Sequence, residues 1–286
     1  MSSHPARRLW AALETLHDVT YFSPDVRSTG IAQGLKGFWM TYFAWRAAPL
    51  GPVPAAPVVA MFAGFHPGTV ARALPEAWSR TPPQACLEAR AAVSAAALRD
   101  AGADPQACEL AAAALAPVAA AADPTGRPLG AANAALEPPG DPLGRLWQLA
   151  TTLREHRGDG HVAALVTEGI TGLEAHLLQV ADGRFPEALI RQARGWPDEE
   201  WAAAGEALRS RGLLTPDASP ALTAAGHAAL AAVEAHTDGQ AWTGGLSRLG
   251  EDGAEEVIAL LQPSVRALIA TGMLPPVNPA GLSLQN

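Results

Sequence analysis

Residues 151–173 read TTLREHRGDGHVAALVTEGITGL, and the folding of this stretch decides how the rest of the chain is arranged. An apolar helical run leads into Arg154, Glu155, His156, Arg157, Asp159 and His161, the densest cluster of ionisable groups in a chain otherwise rich in alanine and leucine. Gly158 and Gly160 bracket Asp159. Glycine is a poor helix former and a common C-terminal stop, whereas aspartate is a good N-cap. The local signals therefore predict a helix ending near Arg157, a Gly-Asp-Gly corner, and a second helix opened by Asp159. His156 and His161 would face each other across that corner.

Two imidazoles that exchange protons near neutrality and two guanidinium groups that grip carboxylate or phosphate in bidentate fashion would share this corner. His161, His156 and Asp159 are accordingly the candidate catalytic residues, and Arg154 and Arg157 candidate ligand-binding residues. A purely structural reading stands beside this one: Glu155 and Asp159 neutralise the arginines, and the histidines cap helix ends. No metal site is expected. The two histidines lack the i, i+4 spacing that presents two ligands on one helix face, and Cys86 and Cys108 lack metal-ligand spacing and read as small buried hydrophobes.

Working outward, the 286 residues are 49% hydrophobic and 17% charged with a net charge of −8, a composition of folded helical protein and a poor default match for nucleic acid. Glu14, His17 and Asp18 interrupt any N-terminal signal-like apolar stretch, and no apolar run is long enough to span a membrane, so a cytoplasmic protein is expected. Lys36 is the single lysine against nineteen arginines, an Ala/Arg bias typical of high-GC actinobacterial proteins.

The fold predicted is mainly α. Apolar residues at helical spacing give a helix over residues 8–21, and Ser23-Pro24-Asp25 opens the next, through Leu35. Residues 36–52 read KGFWMTYFAWRAAPLGP, an aromatic helix ended by Pro49, Gly51 and Pro52. Helices follow over residues 54–65, 68–78, 81–101 and 105–122. Prolines and glycines then interrupt residues 123–142, read as a linker between an N-terminal half (1–135) and a C-terminal half (142–274), with 275–286 a loose tail. In the second half, an amphipathic helix over residues 198–211 precedes RGLLTPDASPALTAAGHAAL, which reads as strand, Pro-Asp turn, short strand and helix. That order is similar to the recognition helix and β wing of a MarR-type winged helix.

An internal repeat supports two related halves. Arg8-Leu9-Trp10 matches Arg145-Leu146-Trp147, and the same register pairs Thr15-Leu16 with Thr152-Leu153. The expectation is a duplicated winged-helix-like unit packed as a pseudo-dimer, with its interface as the natural cavity. The motifs YFSPDVR, GLKGFWMTYFAWRAAPLGPV, FHP and LREHRGDGHVAAL together resemble an actinobacterial family of tandem winged-helix-like proteins, a resemblance that implies the fold and no particular reaction.

On the aromatic helix, Tyr42 and Arg46 share a face and Trp39 lies one turn from Tyr42, so they suit the wall of a flat, partly apolar ligand site as well as plain core. His66, between Phe65 and Pro67, is a candidate proton-transferring or axial haem residue, or a satisfied core histidine. The expected DNA-reading helix begins Asp198-Glu199-Glu200, the wrong sign for phosphate, and the wing TPDASP carries no basic residue. The sequence therefore points to a protein that binds a small, anionic, partly flat molecule between its halves: Arg154, Arg157 and Arg46 hold acidic groups, Trp39 and Tyr42 form the wall, and His66 joins the opposite side. Whether it is an enzyme of specialised metabolism is left open. The alternatives are a winged-helix DNA-binding regulator and a haem- or bilin-binding protein; no membrane partner is expected, and a homodimer is among the assemblies considered.

Overall fold

The computed structural model describes residues 4–217 and 219–278. The chain begins with α1 (Pro5–His17), the one-turn α2 (Val19–Phe22), α3 (Asp25–Ala32), the aromatic α4 (Gly37–Ala47), α5 (Ala55–Met61), α6 (Pro67–Ala71) and α7 (Glu76–Arg80), then the long α8 (Pro83–Asp100) and α9 (Pro105–Ala120). After α10 (Pro128–Ala134) come α11 (Pro142–Thr167), α12 (Gly172–Ala181), α13 (Glu187–Arg194), α14 (Asp198–Ser210), α15 (Ala224–Thr243) and α16 (Gly250–Ala270). Side-chain caps set many starts, among them Asp141 on α11 and the Thr171–Glu174 capping box on α12. None of the described helices is long and apolar enough to cross a membrane.

Three hydrophobic cores organise the molecule. The central one is shared by both halves: α1 packs on α15 and α16, α11 packs on α8 and α9, and α1 also meets α11 as α9 meets α16. Each half thus lays its first helix against long helices of the other. The second core fills an N lobe built on α3 to α8, with Phe43, Trp45 and Phe62 at its centre, and the third fills a C lobe from the end of α11 to α15.

The Gly-Asp-Gly corner does not form. α11 is one continuous 26-residue helix through Gly158, Asp159 and Gly160, and seventeen of its residues are buried. Two helical glycines cost roughly 2 kcal/mol together, which burial on this scale outweighs. Asp159 does cap a helix, but a different one: its carboxylate accepts the Gly130 backbone N–H at 2.9 Å in the first turn of α10. Gly160 is required by packing, since a Cβ there would lie 1.7 Å from Arg127 Nη1, which donates to the His156 carbonyl at 2.9 Å. Residues 123–142, read as linker, thereby contain a helix docked tightly on α11.

The β wing is also corrected. No strand forms among the described residues, and the segment is reduced to one antiparallel bridge between Leu214 and Leu222. Thr223 leaves the ladder at once to cap α15. Of the expected loose tail, residues 279–286 lie outside the described residues, while Asn278 is buried.

Candidate functional site

Because α11 is unbroken, Arg154, Arg157, Gly158, His161, Val162 and Leu165 fall on one face at i, i+3, i+4, i+7, i+8 and i+11. That face walls a cleft of about 230 Å³ between the halves. Opposite it stand Arg7, Trp10 and Glu14 of α1, Tyr42 and Arg46 of α4, and the segment Met61 to Phe65. The C lobe closes it with His176 and Gln179 of α12 and with Arg184, Phe185, Arg194 and Glu234.

The Met61–Phe65 segment is held in place by the C lobe. Gly64 O accepts from His176 Nε2 at 3.1 Å and from Trp196 Nε1 at 2.9 Å, and the His66 N–H donates to Arg194 O at 3.0 Å. Gly172 permits this approach, since a Cβ there would sit 1.9 Å from the Ala63 carbonyl oxygen.

Six guanidinium groups line the cleft against two carboxylates, Glu14 and Glu234, while Glu155, Asp182 and Asp238 pair with them from behind. Arg46 spans Glu155 with bonds of 2.8 and 2.9 Å and donates to Tyr42 Oη at 3.1 Å, so its role is to fix the wall. Arg154 Nε donates to both Glu14 oxygens at 3.1 Å, and Arg157 Nη2 donates to Asp238 at 2.9 Å. The guanidiniums lie over aromatic rings: Arg46 over Phe62 at 3.9 Å, Arg194 over Phe65 and Arg157 over Trp10 at 4.4 Å. Burial opposes the charge on Glu155, yet Arg46 and Arg154 hold its carboxyl well below the usual range. Asp18, wholly buried one turn beyond Glu14 with neither oxygen hydrogen-bonded, is pushed well up by burial and by Glu14.

Five of the residues singled out from sequence meet here: Arg154, Arg157, His161, Arg46 and Tyr42. Four do not line the cleft. His156, five residues before His161 on a continuous helix, turns to another side, where its Nε2 donates to the Asp123 carbonyl at 3.0 Å. Asp159 is spent on α10, and burial raises its carboxyl to about 6. Trp39 lies at the surface, 37% exposed. His66 caps α6 and places Nε2 3.2 Å from Glu200. A haem would need a histidine at the end of an apolar slot; His161 is ringed by arginines and His66 is outside, so these residues do not fit one. Among the described residues no group of three His, Cys, Asp or Glu is placed to hold a metal ion.

His176, Glu14, Arg7 and Trp10 were missed. The last three had a signal, since Arg7, Trp10 and Glu14 are one polar stripe at i, i+3, i+7 on α1.

A second, nearly filled cavity of about 10 Å³ is lined by His17, Thr20, Tyr21, Trp147, Thr151 and residues around them. The register that matches Trp10 with Trp147 also pairs Glu14 with Thr151, His17 with Arg154, Thr20 with Arg157, and Tyr21 with Gly158. One member of each pair lines the cleft and the other lines the small cavity. They differ most at the last pair. Tyr21 fills its side, placing Oη 3.1 Å from His17 Nε2, whereas a Cβ on Gly158 would meet nothing nearer than Glu155 Oε2 at 3.8 Å.

Residues 6–275 match a helix-turn-helix family along nearly the whole chain. The chain belongs to this helix-turn-helix family. No curated protein and no solved structure matches it. In the C lobe, α13 and α14 form a helix–turn–helix pair joined by Gly195, Trp196 and Pro197, with Gly195 in the left-handed conformation that ends α13. Gly64 of the N lobe accepts from Trp196 in this turn, and the His66 N–H donates to the carbonyl of Arg194 just before it.

Proposed function

We propose that this helix-turn-helix protein binds a small, anionic, partly flat organic molecule in the cleft between its halves, and that the halves are diverged copies of one winged-helix-like unit of the MarR kind. One observation carries the reading: in the register that aligns the halves, Tyr21 packs the small cavity shut while its counterpart Gly158 leaves the cleft open. An open cavity lined by guanidiniums, in a chain whose net charge is −8, is a local departure from the surface at large and favours an anion. The aromatic rings behind the arginines suit a planar body.

The test is calorimetric titration with a panel of aromatic carboxylates, aliphatic dicarboxylates and phosphate esters, on the natural chain and on Gly158→Tyr, which restores the side chain its counterpart carries. Saturable binding of an aromatic acid that Gly158→Tyr abolishes supports the reading. Binding unaffected by Gly158→Tyr would place the ligand elsewhere, and no binding by any anion would sink it.

A DNA-binding regulator is the second reading, favoured by the family and by the α13–α14 pair. The charge of α14 weighs against it. Its first turn is Asp198, Glu199 and Glu200, with Asp198 95% exposed, a turn that repels phosphate. DNA contact, if the protein makes any, falls to another face.

A further inference from the structure

His161 is the one histidine-bearing position on the α11 face of the cleft, and its surroundings fix which ring nitrogen carries the proton. Its Nδ1 lies 3.1 Å from Thr237 Oγ1. Thr237 is fully buried, and its hydroxyl donates back along α15 to the Val233 carbonyl at 2.7 Å. A hydroxyl has one proton, and that proton is committed. Thr237 Oγ1 therefore accepts, His161 Nδ1 carries the hydrogen, and Nε2 is left as a bare acceptor. No described residue hydrogen-bonds Nε2, and it is not among the buried polar atoms, so it is the nitrogen left open to the cleft. Burial, with Arg157, Arg7 and Arg184 adding to it against Glu234, lowers the imidazole to about 4, so the ring is neutral at physiological pH.

The arginines of the same face supply the opposite function. Arg154 Nη2 and Arg157 Nη1 make no hydrogen bond to a described residue and are likewise not buried. Arg157 and His161 are one turn of helix apart, about 6 Å along the axis. The face thus offers charged donors at one end and a single neutral acceptor one turn on, with Gly158 leaving the space between them clear.

Resting on the proposed cleft function, we infer that the ligand is a planar acid bearing a neutral hydrogen-bond donor, a hydroxyl or an amino group, across its ring from the acidic group, and that His161 Nε2 accepts this donor. Thr237 is the positioning residue: it touches no ligand and acts by fixing the tautomer. An acid with no donor, or with an ether at that point, leaves Nε2 unpaired or facing a lone pair, and the site discriminates against it.

The experiment compares benzoate, 4-hydroxybenzoate, 4-aminobenzoate and 4-methoxybenzoate by calorimetry on the full chain and on Thr237→Val, with the His161 tautomer read by long-range ¹H–¹⁵N correlation. The expected result is the Nδ1–H tautomer and a preference for the hydroxy and amino acids over the methoxy acid of about fivefold to tenfold, the worth of one neutral hydrogen bond. In Thr237→Val the donor preference collapses toward unity while benzoate affinity changes little. An Nε2–H tautomer in the natural chain, or a donor preference that survives in Thr237→Val, overturns the inference. Equal binding of all four acids, or binding of none while another anion of the wider panel binds, overturns it and leaves the cleft reading intact, whereas no binding by any anion overturns both.

Discussion

The two glycines of α11 should respond in opposite senses to the same substitution. Gly158 has helical backbone geometry and is absent from the positive-φ positions, and an added Cβ meets only ordinary contact at 3.8 Å. Gly158→Ala therefore gains the helix-propensity difference of about 0.5–1 kcal/mol with no packing cost. For a chain of this length that is about 2–3 °C in Tm. Gly160→Ala drives its methyl into Arg127, displacing a side chain that holds the His156 carbonyl at 2.9 Å and Gln240 at 3.1 Å. Losing those buried bonds costs about 2 kcal/mol or more after the propensity gain. Urea denaturation of both variants, followed by ligand titration of Gly158→Ala, makes the comparison. The forecast is a more stable Gly158→Ala with weakened ligand binding, because the methyl enters the cleft. A Gly158→Ala that is less stable than the natural chain would refute the claim that the glycine is kept for space alone, and unaltered binding would refute the claim that the space matters.

Other outcomes follow from the same network. His17, His156, His161 and His176 all titrate below the ordinary imidazole value through burial, His161 at about 4 and His176 at about 3, while burial raises Asp18 and Asp159. Between pH 6.5 and 5 the unfolded chain takes up those four imidazole protons, against the one proton that Asp159 takes up in the folded chain. The imidazoles outnumber that carboxyl, so stability falls as pH drops from about 6.5 toward 5; a denaturation midpoint as high at pH 5 as at pH 7 would contradict this. Arg157→Ala should cost about 3 kcal/mol, the low end for a broken buried pair, because Asp238 keeps Arg7; a loss under about 1 kcal/mol by urea denaturation would show that the pair holds little together. In gel shifts at low salt with DNA from its own locus, the acidic first turn of α14 predicts no sequence-selective complex, and nanomolar selective binding would reverse the ranking of the two readings.

The order of helices was legible because the signals are local: Ser23-Pro24-Asp25 ahead of α3, and Pro49, Gly51 and Pro52 after the aromatic α4. The break at Gly158-Asp159-Gly160 was read from equally local signals and failed, because what keeps α11 helical is non-local. Arg127 covers Gly160, and Asp159 is drawn to the start of α10. The site was half visible for the same reason. The arginines and His161 announced themselves by density, whereas Glu14 looked like an interruption of an apolar stretch and is 2% exposed beneath Arg154. His176 carried no signal, since its partner, the Gly64 carbonyl, is set by tertiary packing alone. Trp39 and His66 sit beside the right neighbours in sequence, but Trp39 is on the outer side of α4 and His66 is taken up capping α6.

The exchanged packing of α1 on α16 and α11 on α9 has a consequence for stoichiometry. On the proposed duplication, the forebear was a pair of identical subunits, and a two-fold axis obliges such a pair to carry every cavity twice. Covalent fusion releases that obligation. On that reading Tyr21 and Gly158 would be separate genetic choices, one sealing its pocket into core and the other leaving its twin open. On the proposed cleft function a single chain would take up one molecule where a symmetric pair would take two, and occupancy would bear on the two lobes unequally, the C lobe being the one whose turn the cleft wall grips.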